Sequence, residues 1–212
     1  KKKYFQSSSK IYVNNFIKLE KKRKSDVIEI HNRPSYLNYF EYFKKKIVFY
    51  FHNDPLSMTG SISIKERKFI LNICHKIIFN SEWTKKRFFI GLDNFLLNTE
   101  KIEVIHQSTN KKKINIDKKE KLITFVGKLN KSKGYDLFGE AIIKILDEFK
   151  DWKAVVFGDE FREKISFEHK RLINMGYKSN NEVLKLFEKT SIAVACSRWA
   201  EPFGRSSLEA SS

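Results

Sequence analysis

Short apolar runs rich in β-branched and aromatic residues alternate along this chain with segments of helical period, and that alternation sets the fold class. The runs are Asp26–Ile30, Lys46–Phe51, Lys76–Phe79, Glu103–Ile105, Leu122–Val126, Ala154–Phe157 and Ile192–Ala195. Strands separated by helices run parallel, because a crossover through a helix returns the chain to the end of the sheet where it started. The spacing predicts helical segments from Pro34 to Tyr42, behind Ser63 to about Cys74, and behind Ser81 through Phe88 and Phe89. Further on it predicts helices from Tyr135 to Phe149, one ending near Gly176, one from Glu182 to Glu188, and a terminal one after Phe203. Ser63 followed three residues later by Glu66 has the pattern of a capping box. The lysine-rich stretch 109–119 has no apolar periodicity and reads as a linker between a unit at 1–108 and a unit at 120–212. The expectation is an α/β chain with two parallel sheets.

The 42 Lys and Arg residues against 25 Asp and Glu give a net charge of +17, which raises nucleic acid or an anionic membrane as partner. The competing explanation is compositional drift, in which Lys, Asn, Ile and Phe rise together. The positive charges are dispersed, and Lys21–Lys24 and Lys111–Lys113 fall in polar stretches that read as solvated loops. No nucleic-acid motif accompanies them, so nucleic acid is not expected as a partner. No run of about 18 apolar residues occurs, so no membrane-spanning helix is expected. Cys74 and Cys196 lie far apart in apolar patterns without metal-ligand spacing, which suits reduced core thiols in a cytoplasmic protein. The chain opens on Lys1-Lys2-Lys3 and closes within a helical pattern, and it reads as the middle of a longer protein.

Ligands of parallel sheets bind beyond the carboxyl ends of the strands, which directs attention to the loops after Phe51, Val126, Phe157 and Cys196. In Gly127-Lys128-Leu129-Asn130-Lys131-Ser132-Lys133-Gly134, glycines at both ends allow a tight turn and Lys128 and Lys133 can converge on one anion. A helix follows at once and adds N-terminal amides. A solvated lysine loop is the plainer reading of the same residues. Glu201 and Glu209 stand eight apart with Pro202, Phe203 and Gly204 between them. One carboxylate then lies in a loop and the other about a turn and a half into a helix, which suits a bound sugar and a ribose, or two ordinary surface glutamates. His52 and His31 each follow a strand and are structural or ligand-facing.

Taken in order, Gly127-Lys128…Lys133-Gly134, Val155-Val156-Phe157-Gly158-Asp159 and Ser197-Arg198-Trp199-Ala200-Glu201-Pro202-Phe203-Gly204…Leu208-Glu209-Ala210 resemble the donor domain of family-4 glycosyltransferases. Phe51-His52-Asn53-Asp54 and Phe79-Asn80-Ser81-Glu82 look like that family's acceptor-side segments. The resemblance implies the GT-B fold, two Rossmann-like domains facing across a cleft, with 1–108 on the acceptor side and 120–212 as the donor domain. It implies Lys128 and Lys133 at the donor diphosphate, Glu209 at the ribose, and Glu201 with the backbone of Phe203 and Gly204 at the donor sugar. It further implies close approach of the nucleotide at Gly158, backbone contact with the base at Tyr177-Lys178, and His52 at the donor sugar near its anomeric carbon. Implied with these are sugar transfer with retention, a nucleotide sugar as co-substrate, and no metal or other cofactor. The implied acceptor is a glycan or lipid-linked molecule of cell-envelope polysaccharide or lipopolysaccharide synthesis; the +17 charge is compatible with peripheral contact of such a cytoplasmic transferase with an anionic membrane. The alternative is a basic module that binds nucleic acid or anionic membrane without catalysis. Two departures stand out: Lys128 replaces a common arginine, and His106-Gln107-Ser108-Thr109-Asn110 stands where the family has an Asn-Gly-Val-Asp segment.

Overall fold

Among the described residues all strand pairs are parallel, as expected from the sequence. The computed structural model describes residues 8–41, 43, 45–92, 99–111 and 115–212, and the chain divides after Gln107 into two units. Tyr42, Lys112, Lys113 and Lys1-Lys2-Lys3 lie outside the described residues.

The first unit runs α1 (Ser8–Arg23), β1 (Val27–His31), β2 (Lys46–Phe51), α2 (Ile64–Ile73), β3 (Lys76–Phe79), α3 (Glu82–Phe89) and β4 (Ile102–Val104), with the strands in the order β1-β2-β3-β4. The central strands carry the core: Ile47, Phe49, Phe51, Ile77 and Phe79 are fully buried, and Phe51 stacks on Phe79 at 5.3 Å. Burying each such side chain contributes about 1.5–3 kcal/mol. Ser63 begins α2 with the expected capping box: its hydroxyl accepts from the Glu66 amide at 3.2 Å, and Glu66 accepts from the Ser63 amide at 2.8 Å. Ser63→Ala should cost about 1 kcal/mol, read as a lower urea midpoint with unchanged slope. Beyond β2, Asp54 accepts from Arg87 Nε at 3.1 Å and from Arg87 Nη2 at 2.8 Å, which fixes the loop after His52 to α3.

Two features of this unit differ from the sequence reading. Lys21, Lys22 and Arg23 form the last turn of α1 instead of a loop. Val13, Phe16, Ile17 and Glu20 share one face of that helix and pack inward, and cations at its C-terminus suit the helix dipole. Pro34–Tyr39 is a 3-10 helix, opened by proline at its first position.

The second unit runs β5 (Glu120–Val126), α4 (Tyr135–Glu148), β6 (Lys153–Phe157), β7 (Leu172–Asn174), α5 (Asn180–Lys189), β8 (Thr190–Val194) and α6 (Arg205–Ala210), with the strands in the order β7-β6-β5-β8. Phe125, Tyr135, Phe138, Ile142, Leu146, Ala154 and Val156 form its core. The helix expected to end near Gly176 is not there: 158–171 contains no helix, and the chain re-enters the sheet as β7 beside β6. Ile165 and Phe167 of this segment pack on the core directly. Phe167 does so over Gly139 of α4, where a Cβ would stand 2.0 Å from its ring. Within the stretch read as a linker, Ile116–Lys118 forms a short 3-10 turn and Lys119 Nζ donates to the Phe187 carbonyl at 2.8 Å. Among the described residues no helix is long and apolar enough to cross a membrane.

Candidate active site

Because β5 and β8 pair directly, the loops leaving their carboxyl ends lie side by side. In the first, Asn130 Oδ1 accepts from the Lys133 amide at 3.0 Å and from the Ser132 hydroxyl at 2.9 Å, closing the turn Lys131–Lys133. Gly134 leaves that turn in the left-handed conformation, at φ 72°, and starts α4. A Cβ on Gly134 would stand 2.0 Å from the Cys196 carbonyl oxygen of the second loop, so the glycine is what lets the two loops touch. The contact is then fastened by hydrogen bonds. The Ser132 carbonyl accepts from the amides of Arg198 at 3.0 Å and Trp199 at 3.1 Å, and the Cys196 thiol donates to the Gly134 carbonyl at 3.1 Å. Arg198 also pairs with Asp136 at 2.5 Å and holds its carboxyl below the usual carboxylate range. That contribution is present above the ordinary carboxylate value and is lost as pH falls through the lowered one.

Between these loops lies a cavity of about 370 Å³. Its floor is apolar, from Phe125, Val126, Phe187 and Val194, and its rim is polar, from Gly127, Lys133, Ser197, Glu201, Gly204 and Arg205 with the serines at 206 and 207. Lys133 and Glu201 are ion-paired at the rim, each with its side chain about one third exposed. A pocket of this size with a few convergent polar groups is what a nucleotide-sized ligand requires. A lysine and a carboxylate from different loops can separate to take a phosphate and sugar hydroxyls respectively.

The sequence reading expected more residues here than the structure gathers. Lys133, Glu201 and Gly204 line the cavity, whereas Lys128 is exposed on the same loop and does not. Lys133 ends the turn capped by Asn130, and Lys128 stands two residues before that cap. Phe203 is half-buried outside the lining. Glu209 is buried on α6, where its Oε1 accepts from Asn180 Nδ2 at 2.8 Å and from Arg205 Nε at 2.7 Å. Tyr177 is 77% exposed, and Lys178 pairs with Glu182 at 3.5 Å. Gly158 has φ 153°, and a Cβ there would stand 1.8 Å from the Gly127 carbonyl oxygen, so its backbone neighbour already demands glycine. Sequence reasoning passed over Arg205, Ser206, Ser207 and Ser197. The only signal for the first three was their place between Glu201 and Glu209.

In the first unit, His52 Nε2 lies 3.0 Å from His31 Nδ1, and His52 Nδ1 lies 3.3 Å from Gln107 Nε2. Burial, and next the charge of a protonated His31, hold His52 below the ordinary histidine value of 6.5. The unfolded chain therefore takes up this proton first as pH falls. The group's stabilising contribution is complete above 6.5 and is lost below it. Among the described residues no group of three or more His, Cys, Asp or Glu is placed to hold a metal ion.

The family model for glycosyl transferases group 1 matches residues 106–212, just over half of the chain. The chain belongs to this glycosyltransferase family. Solved structures agree on the fold. HepE of Anabaena in complex with UDP-glucose matches with a TM-score of 0.69 at 15% identity, over 97% of this chain and 62% of that one. A Staphylococcus aureus TarM variant in complex with fondaparinux, alpha-GlcNAc-glycerol and UDP matches with a TM-score of 0.67 at 16% identity, over 99% of this chain and 44% of that one. The apo form of the lipopolysaccharide outer core galactosyltransferase WaaB matches with a TM-score of 0.56 at 16% identity, over 95% of this chain and 58% of that one. At such identities the likeness speaks for the fold: the two parallel-sheet units fit an incomplete GT-B fold. This group 1 glycosyltransferase chain thus spans less than two thirds of the length of those structures. A search of curated proteins finds no match.

Proposed function

We propose that the protein to which this chain belongs is a family-4, retaining glycosyltransferase that moves a sugar from a nucleoside diphosphate to an acceptor hydroxyl without a metal ion. The observation that carries the reading is the Lys133–Glu201 pair at the rim of one cavity, at the carboxyl ends of β5 and β8. The bond from the anomeric carbon to the diphosphate oxygen breaks while a bond to the acceptor oxygen forms on the same face, and the acceptor proton leaves on the diphosphate. Negative charge builds up on the leaving group, and Lys133, which lines the cavity, supplies a cation for it. A fixed donor aimed at such charge supplies about 2.7–4 kcal/mol. Glu201 takes hydroxyls of the donor sugar, with Gly204 allowing close approach. Glu209, held by Asn180 and Arg205, is a binding group for the ribose and no acid or base of the glycosidase kind. Lys128, Gly158, Tyr177, Lys178 and Phe203 keep the donor-side roles, and His52 the sugar-side role, that the family resemblance gives them.

UDP sugars are the first donors to test, since HepE and TarM were solved with UDP compounds. The acceptor is a glycan or lipid-linked molecule of the cell envelope, reached from the cytoplasmic face of an anionic membrane; the likeness to a lipopolysaccharide outer core galactosyltransferase supports an envelope acceptor. Full-length protein incubated with a panel of nucleotide sugars in EDTA should bind and turn over one of them, giving a product of the donor's own anomeric configuration by proton NMR. An inverted product, or activity that EDTA abolishes, would refute the mechanism while leaving transfer itself intact.

A further inference from the structure

Glu29, His31, His52 and Gln107 make one continuous chain of side-chain contacts, from β1 across the end of β2 to the segment after β4. His31 Nε2 lies 3.5 Å from Glu29 Oε2, His31 Nδ1 lies 3.0 Å from His52 Nε2, and His52 Nδ1 lies 3.3 Å from Gln107 Nε2. The rings are held in place independently of these contacts. His31 stacks on Tyr50 at 4.4 Å with 4° between the planes, and the two imidazoles are within 10° of parallel. The backbone of His52 is clamped from both sides, by Asn32 Oδ1 accepting from its amide at 3.2 Å and by Asn80 Nδ2 donating to its carbonyl at 2.9 Å. Asn32 does this from the left-handed region, at φ 57°.

With both rings neutral and the Gln107 amide group facing His52 as a donor, one arrangement of protons satisfies every link. An ionised carboxylate accepts and cannot donate, so Glu29 requires the proton of His31 on Nε2. Neutral His31 then presents a bare Nδ1, which can only accept, and the proton of His52 must lie on Nε2. Neutral His52 in turn presents a bare Nδ1 to the amide group of Gln107, which donates. The reverse orientation would set two lone pairs face to face at Glu29, and two cationic rings would set two N–H groups face to face at 3.0 Å. We propose that His31 is a positioning residue that, oriented by Glu29, holds His52 as the neutral tautomer protonated on Nε2. Burial, the larger cause of the lowered basicity of His52, favours its neutral form. The inference rests on the reading in which His52 meets the donor sugar: an Nε2–H is a donor for a sugar hydroxyl oxygen, which can take the place of His31 Nδ1 as acceptor.

Nitrogen-15 NMR of the full-length protein, labelled at histidine and recorded at about pH 8, tests the assignment directly. The account expects a protonated Nε2 and a bare Nδ1 for both His31 and His52. The opposite tautomer at His52, or rapid averaging between the two, would overturn it. His31→Phe keeps a ring on Tyr50 and removes the acceptor nitrogen. His52 should then average between tautomers, and kcat should fall about tenfold to a hundredfold with KM for the donor little changed. Unaltered His52 signals in that variant would equally overturn the proposal. If His31→Phe does not fold, Glu29→Gln removes the orienting carboxylate and should release the tautomer of His31. Full activity in His52→Ala would instead refute the sugar-facing role of His52 and leave the tautomer assignment standing.

Discussion

Lys133→Ala should lower turnover of the donor by about a hundredfold to a thousandfold while the protein stays folded. The two halves of that expectation have different physical sources. In the free protein Lys133 pairs with Glu201, and both side chains are about one third exposed, so water screens the pair. Such a pair contributes about 0–1 kcal/mol to stability. During transfer the same ammonium would face charge that develops on a leaving diphosphate, where one preorganised donor is worth several times more. Lys133→Arg should fall between alanine and the wild type, because it keeps the charge but replaces a compact ammonium by a wider planar fork. Steady-state rates alongside thermal melts separate the two effects. Wild-type turnover in a folded Lys133→Ala protein would remove the cavity from the chemistry.

Gly134→Ala should destabilise the second unit by about 3 kcal/mol or more and take activity down with it. A side chain at φ 72° costs about 1–2 kcal/mol by itself. The added Cβ would also lie 2.0 Å from the Cys196 carbonyl oxygen, so the two loops must part. Parting them breaks the hydrogen bonds that Ser132 accepts from Arg198 and Trp199, and opens the cavity between Lys133 and Glu201. Gly127→Ala, in the same loop, makes the contrast: its nearest neighbours would be ring atoms of Phe125 at an ordinary 3.7 Å. It should leave the urea midpoint nearly unchanged. Equal loss of stability in the two variants would show that the loop contact at Gly134 is not what holds this site together.

The parts of the fold legible in the sequence were those fixed by local chemistry. The β-branched and aromatic run Lys46–Phe51 is a strand with those bounds, and Ser63 and Glu66 cap α2 as their spacing requires. α1 escaped notice because its apolar face is narrow and its surface lysine-rich, so only packing against the sheet reveals it. The segment 158–171, where a helix ending near Gly176 was expected, has none, because Ile165 and Phe167 dock singly on the core and Phe167 does so over Gly139, far away in sequence. At the site, spacing pointed to Lys133, Glu201 and Gly204, which do share a cavity. It could not distinguish Lys133, which lines the cavity, from Lys128, which does not, since the placing of Lys133 depends on Asn130 receiving its amide in the turn. Nor could it foresee that Glu209 would be engaged by Asn180 from another helix.

The account stands or falls on whether a donor diphosphate enters between Lys133 and Glu201. A crystal structure of the full-length protein with its nucleotide sugar measures this directly. The prediction is a broken Lys133–Glu201 pair, with Lys133 Nζ on a phosphate oxygen and Glu201 on sugar hydroxyls. An intact pair, with the diphosphate bound elsewhere, would contradict it.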